Sequence, residues 1–297
     1  MRHDVTFMSQ GLRCSAWLYV PGGLAAGRKA PAIVMAHGFS CVKEQGLERF
    51  AERFAAAGFV VLLFDYRCFG ESEGEPRGQL FPLDQIEDYR NAVTWLAAHP
   101  QVDPGRIGAW GTSFSGGLVF HLSVFDRRIR AVVAQVPSVL NCENGPVMDL
   151  GRDDPFTRFL LQDRVARYET GAVNYLKVVA PEGEACILSG QESYDAFTAL
   201  SVNAPTWQNG VTVASMEKIR EYDPTRYIHL IAPTPLLIIG AKHDSLIPAN
   251  LVAEAYERAR EPKEMLMLPC RHFDVYGGEP WFSLAADAAV AWFTKHL

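Results

Sequence analysis

Several patterns that signal common functions are missing from this chain of 297 residues. Its six cysteines stand far apart and form no C-x-x-C pair, so we expect reduced thiols, with neither disulfides nor a zinc site. No apolar run approaches the roughly 18 residues of a membrane span, and the first residues hold no apolar leader segment. The sequence therefore predicts a cytoplasmic protein with no membrane span.

The chain has no recognisable cofactor motif and no excess of basic charge. Acidic residues outnumber basic ones and give a formal charge of −6, which argues against a nucleic-acid or anionic-membrane partner. A glycine-rich dinucleotide loop, a Walker loop and an H-E-x-x-H cluster are all absent. We therefore expect no cofactor, no metal and a small-molecule partner. A homodimer stays open at this point.

Short apolar runs alternate with helical patterns along most of the chain. The runs APAIVMAHG (residues 30–38) and FVVLLFDYR (59–67) have strand length and no polar face, as strands buried on both faces do. Helical spacing fills the segment between them, and CSAWLYVP (14–21) alternates as an edge strand would. This order predicts an α/β fold, a mostly parallel sheet with helices on both faces.

One segment interrupts the rhythm. Residues 141–222 are helical and irregular in pattern, lack a buried strand, and form too long a stretch for an ordinary connection. Strands resume after them, so we predict a core of residues 1–140 and 223–297 with an inserted helical cap. Three aromatic residues of the cap are candidates to line a substrate pocket, with packing inside the cap as the alternative: Trp207, Phe156 and Tyr168.

The run IGAWGTSFSGG, residues 107–117, places Ser113 among small residues where a strand passes directly into a helix. So short a turn forces the corner residue into a strained backbone conformation and pushes its side chain outward, while small neighbours relieve the crowding. The pattern is that of the nucleophile elbow G-x-S-x-G, with Ser115 in its last position. It predicts that Ser113 is a nucleophile.

A serine needs a base to take its proton and an acid to orient that base. Asp244 follows the apolar strand PLLIIGAKHD and His272 follows EMLMLPC, which gives the chain order Ser, Asp, His of a hydrolase triad. Asp274 is an alternative acid. Three other histidines are weaker candidates for the base. His243 lies beside the predicted acid, His37 is expected to order its loop, and His121 is expected to be packed.

Two backbone amides are expected to bind the oxyanion that forms during acyl transfer. One is the N–H of Phe114, directly after the nucleophile, and the other is the N–H of Phe39 in the loop AHGFS. Gly38 lets that loop turn toward the site. We expect Asp65 and Arg67, at the end of another strand, to hold their own loop rather than to act in catalysis.

With these motifs in place, the sequence resembles α/β-hydrolase fold proteins over nearly its whole length. More narrowly, the segments 37–80, 85–104 and 110–117, with APTWQNGVTVASMEKIREYDP of the cap, are similar to the hydrolases grouped with the polyketide transferase of fumagillin biosynthesis. The resemblance implies an α/β-hydrolase fold and triad roles for Ser113, Asp244 and His272. It also implies acyl chemistry on thioesters, by release or by transfer to an alcohol.

These observations predict a serine hydrolase that cleaves a carboxylic ester or thioester through an acyl-enzyme. An acyltransferase, a lactonase or a carbon–carbon bond hydrolase would use the same triad. A protein of another class, an α/β-hydrolase scaffold that binds a ligand without catalysis, is the further alternative.

Overall fold

The computed structural model of the chain describes residues 1–25, 27–145 and 154–297. Its strands follow the apolar runs of the sequence. They are β1 (Arg2–Ser9), β2 (Leu12–Tyr19), β3 (Ala30–Ala36), β4 (Val60–Phe64), β5 (Val102–Thr112), β6 (Ile129–Gln135), β7 (Tyr175–Leu176), β8 (Val211–Thr212), β9 (Leu236–Ala241) and β10 (Lys263–Leu268).

Helices connect these strands. They are α1 (Glu48–Ala56), α2 (Pro82–Ala98), α3 (Phe114–Phe125), α4 (Pro155–Thr170), α5 (Gln191–Ser201), α6 (Val213–Arg220), α7 (Ala249–Arg258) and α8 (Trp281–His296). Among the described residues, no helix combines the length and the apolar character that crossing a membrane requires.

Eight strands form one sheet in the order β1-β2-β4-β3-β5-β6-β9-β10. All neighbours from β4 to β10 are parallel, while β1 and β2 pair antiparallel at one end. The predicted α/β-hydrolase fold, a mostly parallel sheet between helices, is confirmed. The prediction that residues 14–21 form an edge strand is wrong, because β1 covers β2 and its polar, exposed residues gave no apolar signal.

The two faces of the sheet carry separate cores, and β3 shows why. Its side chains alternate, so Ile33 and Met35 point into one core while Val34 points into the other. Helices α1 and α8 cover the first face, and α2, α3 and α7 cover the second. Burial on both faces explains the continuous apolar runs by which the strands are predicted.

The predicted cap segment, residues 141–222, includes residues 146–153, which lie outside the described residues. Its described part contains α4, α5 and α6. It also holds the short antiparallel pair β7–β8, which the helical reading of this segment missed because each strand has only two residues. The division into core and cap stays a prediction.

Candidate active site

Ser113 lies at the corner between β5 and α3, with φ of 54° and ψ of −119°. Few non-glycine residues adopt a positive φ, so the strained corner that the sequence pattern predicts is confirmed. Its neighbours are small because backbone approaches closely on both sides. A Cβ at Gly111 would lie 2.3 Å from the carbonyl oxygen of Ser115, and one at Gly116 would lie 2.8 Å from the Cα of Pro137.

Ser115 occupies the position where the elbow pattern ordinarily has glycine. Its side chain is fully buried, and its Oγ accepts a hydrogen bond from the Thr112 N–H at 2.8 Å. The same hydroxyl donates to the Ala36 carbonyl at 2.9 Å and so ties the elbow to the end of β3. The serine is therefore part of the elbow's framework, a role that the sequence pattern alone did not reveal.

The structure brings the three predicted triad side chains together. His272 follows β10, and its Nε2 lies 3.1 Å from the Ser113 Oγ. Asp244 follows β9, and its Oδ2 accepts a hydrogen bond from the His272 Nδ1–H at 2.7 Å. In the neutral ring this contact places the proton on Nδ1, so that Nε2 can accept the Ser113 proton. The side chains of His272 and Asp244 are only 1% and 2% exposed, so solvent screens their contact little.

Asp244 has its second carboxylate oxygen fixed as well. Oδ1 accepts hydrogen bonds from the backbone N–H groups of Leu246 and Ile247, both at 2.8 Å. With Oδ1 turned toward this loop, Oδ2 is the oxygen that faces His272. The carboxylate is thus held in one orientation by the backbone that follows it.

The alternative acid, Asp274, and the histidine next to Asp244, His243, make contacts outside the triad. The Asp274 Oδ2 accepts a hydrogen bond from the Arg271 N–H at 2.8 Å, so this carboxylate caps its own turn. His243 is exposed, and its backbone N–H donates to Cys270. Neither side chain makes a hydrogen bond to His272 within the described part of the chain.

The two remaining candidate bases, His37 and His121, have structural roles. Burial lowers the pKa of His37 to about 4, so the ring is neutral, and its Nδ1 lies 3.1 Å from the Gly38 carbonyl. His121 packs against the rings of Phe125, Tyr222 and Tyr227. The expected roles, loop ordering for His37 and packing for His121, are confirmed.

The loop after β3 crosses the elbow at close range. A Cβ at Gly38 would lie 3.1 Å from the Ser113 Cβ and 3.7 Å from the Phe114 nitrogen, so any larger residue would crowd the nucleophile. Within the ranges 1–25, 27–145 and 154–297, the N–H groups of Phe39 and Phe114 donate to no protein acceptor. Two free amide donors are therefore available near the nucleophile, one directly after Ser113 and one directly after Gly38.

A buried ion pair between Lys43 and Asp65 holds the loop after β3 in place. The Lys43 Nζ, with a fully buried side chain, lies 2.8 Å from the Asp65 Oδ2 and 2.7 Å from the Glu71 Oε2. Asp65 also accepts from the Lys43 N–H at 2.7 Å, which confirms its loop-holding role. Burial lowers the pKa of Lys43, but the surrounding carboxylates outweigh burial and raise it above its usual value. Arg67 pairs instead with Asp88.

Replacing Lys43 with methionine should destabilise the fold by about 3–5 kcal/mol, because Asp65 would stay buried without its partner. Urea unfolding at neutral pH measures this change. The control is Arg53→Met, which breaks an exposed ion pair with Asp287 and should cost about 0–1 kcal/mol. Equal, small losses in the two variants would contradict the role given to Lys43.

Two cavities meet at Ser113. The larger, called here the Ser113 cavity, has a volume of about 210 Å³ and lies between the elbow, α6 and the residues after Asp244. The smaller, the His272 cavity, has about 30 Å³ and extends past His272 toward Cys41 and Tyr276. Phe39, Leu188 and Leu246 line both.

The three predicted pocket residues do not line these cavities. Tyr168 is wrong as a pocket residue, because its side chain is 92% exposed on α4. Phe156 packs within the cap, against the cluster that includes Leu160, and Trp207 packs on Phe197. For Phe156 the alternative of cap packing is therefore correct. The Trp207 Nε1–H donates to the Ser40 carbonyl at 2.9 Å, so this ring rests on the loop after β3.

The described residues hold no group of three or more His, Cys, Asp or Glu side chains that is arranged to bind a metal ion. A buried polar contact supports the elbow instead: the Thr112 hydroxyl lies 2.7 Å from that of Tyr276. Sequence reasoning predicted neither this contact nor the burial of Lys43. Lysine is usually a surface residue, and nothing in the sequence links position 112 with position 276.

Residues 10–148 match the model of the X-Pro dipeptidyl-peptidase (S15) family. The chain is 32% identical to the quorum-quenching protein AidA of Acinetobacter baumannii (strain MDR-ZJ06), over 96% of this chain and 92% of AidA. It is also 32% identical to the thiohydrolase aneE of Aspergillus aculeatus, over 88% of this chain and 83% of aneE.

A solved structure agrees with these sequence similarities. The crystal structure of the α/β hydrolase GrgF from Penicillium sp. sh18 superposes with a TM-score of 0.85 at 27% identity. The match covers 100% of this chain and 99% of GrgF, so it includes the segment between β6 and β9 as well as the sheet.

Proposed function

Because the chain belongs to the α/β-hydrolase family that includes AidA and the thiohydrolase aneE, we propose that it cleaves esters or thioesters with Ser113, His272 and Asp244 as its catalytic triad. One observation carries this assignment. A continuous hydrogen-bond chain runs from Asp244 through His272 to Ser113, at a strained corner between strand and helix.

In the first half of the reaction, the Ser113 Oγ attacks the substrate carbonyl carbon while its proton passes to the His272 Nε2. Asp244 stabilises the resulting imidazolium through Nδ1–H. The tetrahedral intermediate collapses when the carbon–oxygen or carbon–sulfur bond to the leaving group breaks. The leaving alcohol or thiol takes the proton from Nε2, and the acyl group stays on Ser113.

In the second half, water gives a proton to the His272 Nε2 and attacks the acyl carbon. The bond to the Ser113 Oγ then breaks, the carboxylic acid leaves, and Oγ regains the proton. The His272 cavity supports water as the acceptor. Its volume of about 30 Å³ exceeds the roughly 10–15 Å³ that a cavity needs to hold one water molecule, and His272 lies in its wall.

The oxyanion formed in each half needs fixed donors. The free N–H groups of Phe39 and Phe114 fill this role, because both lie beside Ser113 and donate to no other acceptor within the described residues. Phe114 is held by α3. Phe39 stands next to Ser40, whose φ of 54° is strained and needs support from outside the loop.

Trp207→Phe should lower kcat by about tenfold and leave KM nearly unchanged, a smaller loss than removing an oxyanion donor outright. Phenylalanine keeps the packing on Phe197, 5.7 Å between ring centroids, but removes the N–H that holds the Ser40 carbonyl. Steady-state kinetics on an acetate ester measures the effect.

The matched control is Thr206→Val, which removes only a weak contact with Glu44 at 3.4 Å from the same cap segment. It should keep wild-type kcat. If Trp207→Phe keeps kcat but melts at a lower temperature, Trp207 only packs the cap.

The function is tested with one panel of esters, acyl thioesters, lactones and carbon–carbon bond substrates, with and without an acceptor alcohol. Hydrolysis of esters or thioesters that Ser113→Ala abolishes is the expected result. Product found only as a new ester would identify an acyltransferase. No turnover on the whole panel, together with no labelling by a serine-reactive phosphonate, would identify a binding scaffold and overturn the proposal.

A further inference from the structure

The Ser113 cavity and a groove on the protein surface share one wall. The groove has a volume of about 510 Å³ and lies between the start of α2, α3 and the end of α6. Tyr222 is the one described residue that lines both spaces. Its side chain therefore forms part of the boundary between the cavity and the groove.

Tyr222 is fixed against α3. Its Oη donates to the Gly117 carbonyl at 3.3 Å, and its ring centroid lies 6.0 Å from that of His121. Position 117 admits only glycine, because a Cβ there would lie 2.4 Å from the Ser138 carbonyl oxygen. The absence of a side chain at Gly117 makes room for Ser138 and for Pro224, whose Cβ would lie 3.0 Å from the same atom and which follows Tyr222 by two residues.

Helix α3 sets the distance from the nucleophile to this wall. Gly117 lies four residues after Ser113 and His121 lies four residues further on. With a rise of about 1.5 Å per residue, the backbone of Gly117, whose carbonyl Tyr222 contacts, lies roughly 6 Å along the helix axis from the backbone of Ser113. The groove, which His121 lines, begins beyond it. An acyl group on Ser113 that extends along α3 meets Tyr222 first.

The two spaces differ in chemistry. The lining of the Ser113 cavity includes Leu140, Ile187 and Met216, which favour a hydrocarbon chain. The groove is lined by charged side chains of both signs, among them Asp84 and Lys218. Tyr222 therefore lies between a largely apolar cavity and a groove that also carries charged side chains.

We propose that Tyr222 is the distal wall of the acyl-binding site and sets the longest acyl group that the enzyme accepts. A cavity of about 150 Å³ holds benzene, so about 210 Å³ accommodates an acyl chain of roughly eight carbons or fewer. The substrates are thus short to medium-chain acyl esters or thioesters. This inference rests on the proposed function, with the acyl group attached to Ser113.

The test compares kcat/KM on p-nitrophenyl esters and matching thioesters from acetyl to hexadecanoyl. In the wild type, kcat/KM should rise by about fourfold for each added methylene and fall beyond octanoyl. In Tyr222→Ala the maximum should move toward dodecanoyl, and the dodecanoyl-to-butanoyl ratio should rise at least tenfold. A maximum that stays in place would overturn the inference.

The control is Tyr227→Ala, which changes the groove but not the cavity and should keep the wild-type profile. Tyr222→Phe keeps the ring and should restore the wild-type length limit. If Tyr222→Ala does not fold, Tyr222→Val serves instead, followed by labelling rates with alkyl fluorophosphonates of graded length. If the proposed function itself is wrong, the result differs, because the wild type would then neither hydrolyse the esters and thioesters nor be labelled by the fluorophosphonates.

Discussion

Ser113→Ala is expected to lower kcat by about 10⁵-fold or more while the protein stays folded, because triad members act as a unit and the remaining two cannot form an acyl-enzyme. Only the Oγ is removed, and its hydrogen bond to His272 is the only side-chain contact that it loses among the described residues. Hydrolysis of an acetate ester measures the rate, and urea unfolding confirms the fold.

The rate that remains in Ser113→Ala shows whether Ser113 or another side chain is the nucleophile. The oxyanion amides of Phe39 and Phe114 remain in this variant, so hydrolysis should stay above the uncatalysed rate in water. A variant that keeps more than a tenth of wild-type kcat would show that another side chain is the nucleophile.

Asp244→Asn is expected to lower kcat by about 10⁴-fold with little change in stability. The reason is specific to this site. Leu246 and Ile247 both donate N–H groups to Oδ1, so the asparagine carbonyl must take that position and its NH₂ must face the His272 Nδ1. Two donors cannot share a hydrogen bond, so His272 would carry its proton on Nε2 and could not accept one from Ser113.

Asp274→Asn is the matched control, because it changes the alternative acid, which lies two residues after His272. Its carboxylate accepts from the Arg271 N–H, a contact that the asparagine carbonyl can keep, so kcat should stay within tenfold of wild type. A larger loss in Asp274→Asn than in Asp244→Asn would identify Asp274 as the acid of the triad.

The family and the fold were predictable because their signals are local. Continuous apolar runs identify strands buried on both faces, and the crowded elbow requires small residues at Gly111 and Gly116, which are visible as letters in the sequence. The predicted membership among α/β-hydrolases related to polyketide transferases and thiohydrolases is confirmed by relatives aligned over most of the chain. The roles of single side chains stay predictions until they are tested.

The cap and its pocket were not predictable in the same way. An aromatic residue in an irregular segment can face the substrate, the cap interior or water, and sequence spacing does not distinguish these. Tyr168 faces water, Phe156 faces the cap, and Trp207 binds the loop beside the nucleophile. Tyr222 lines both the Ser113 cavity and the groove, and only the position of these two spaces reveals it as a candidate pocket residue.

Buried polar contacts between distant positions were equally invisible. Ser115 looked like a small residue of the elbow, whereas its hydroxyl joins the elbow to β3. Lys43 is fully buried on Asp65, although lysine is usually a surface residue. Both depend on which backbone atoms meet after folding, which neither propensity nor periodicity encodes.

The central claim, that Ser113 is the nucleophile activated by His272, is tested most directly by locating a covalent adduct. The enzyme is treated with a fluorophosphonate, digested, and mapped by tandem mass spectrometry. A single adduct on Ser113 is expected, absent from Ser113→Ala and formed much more slowly in Asp244→Asn. An adduct on another residue, or full ester hydrolysis by an enzyme that gains no adduct, would contradict the claim.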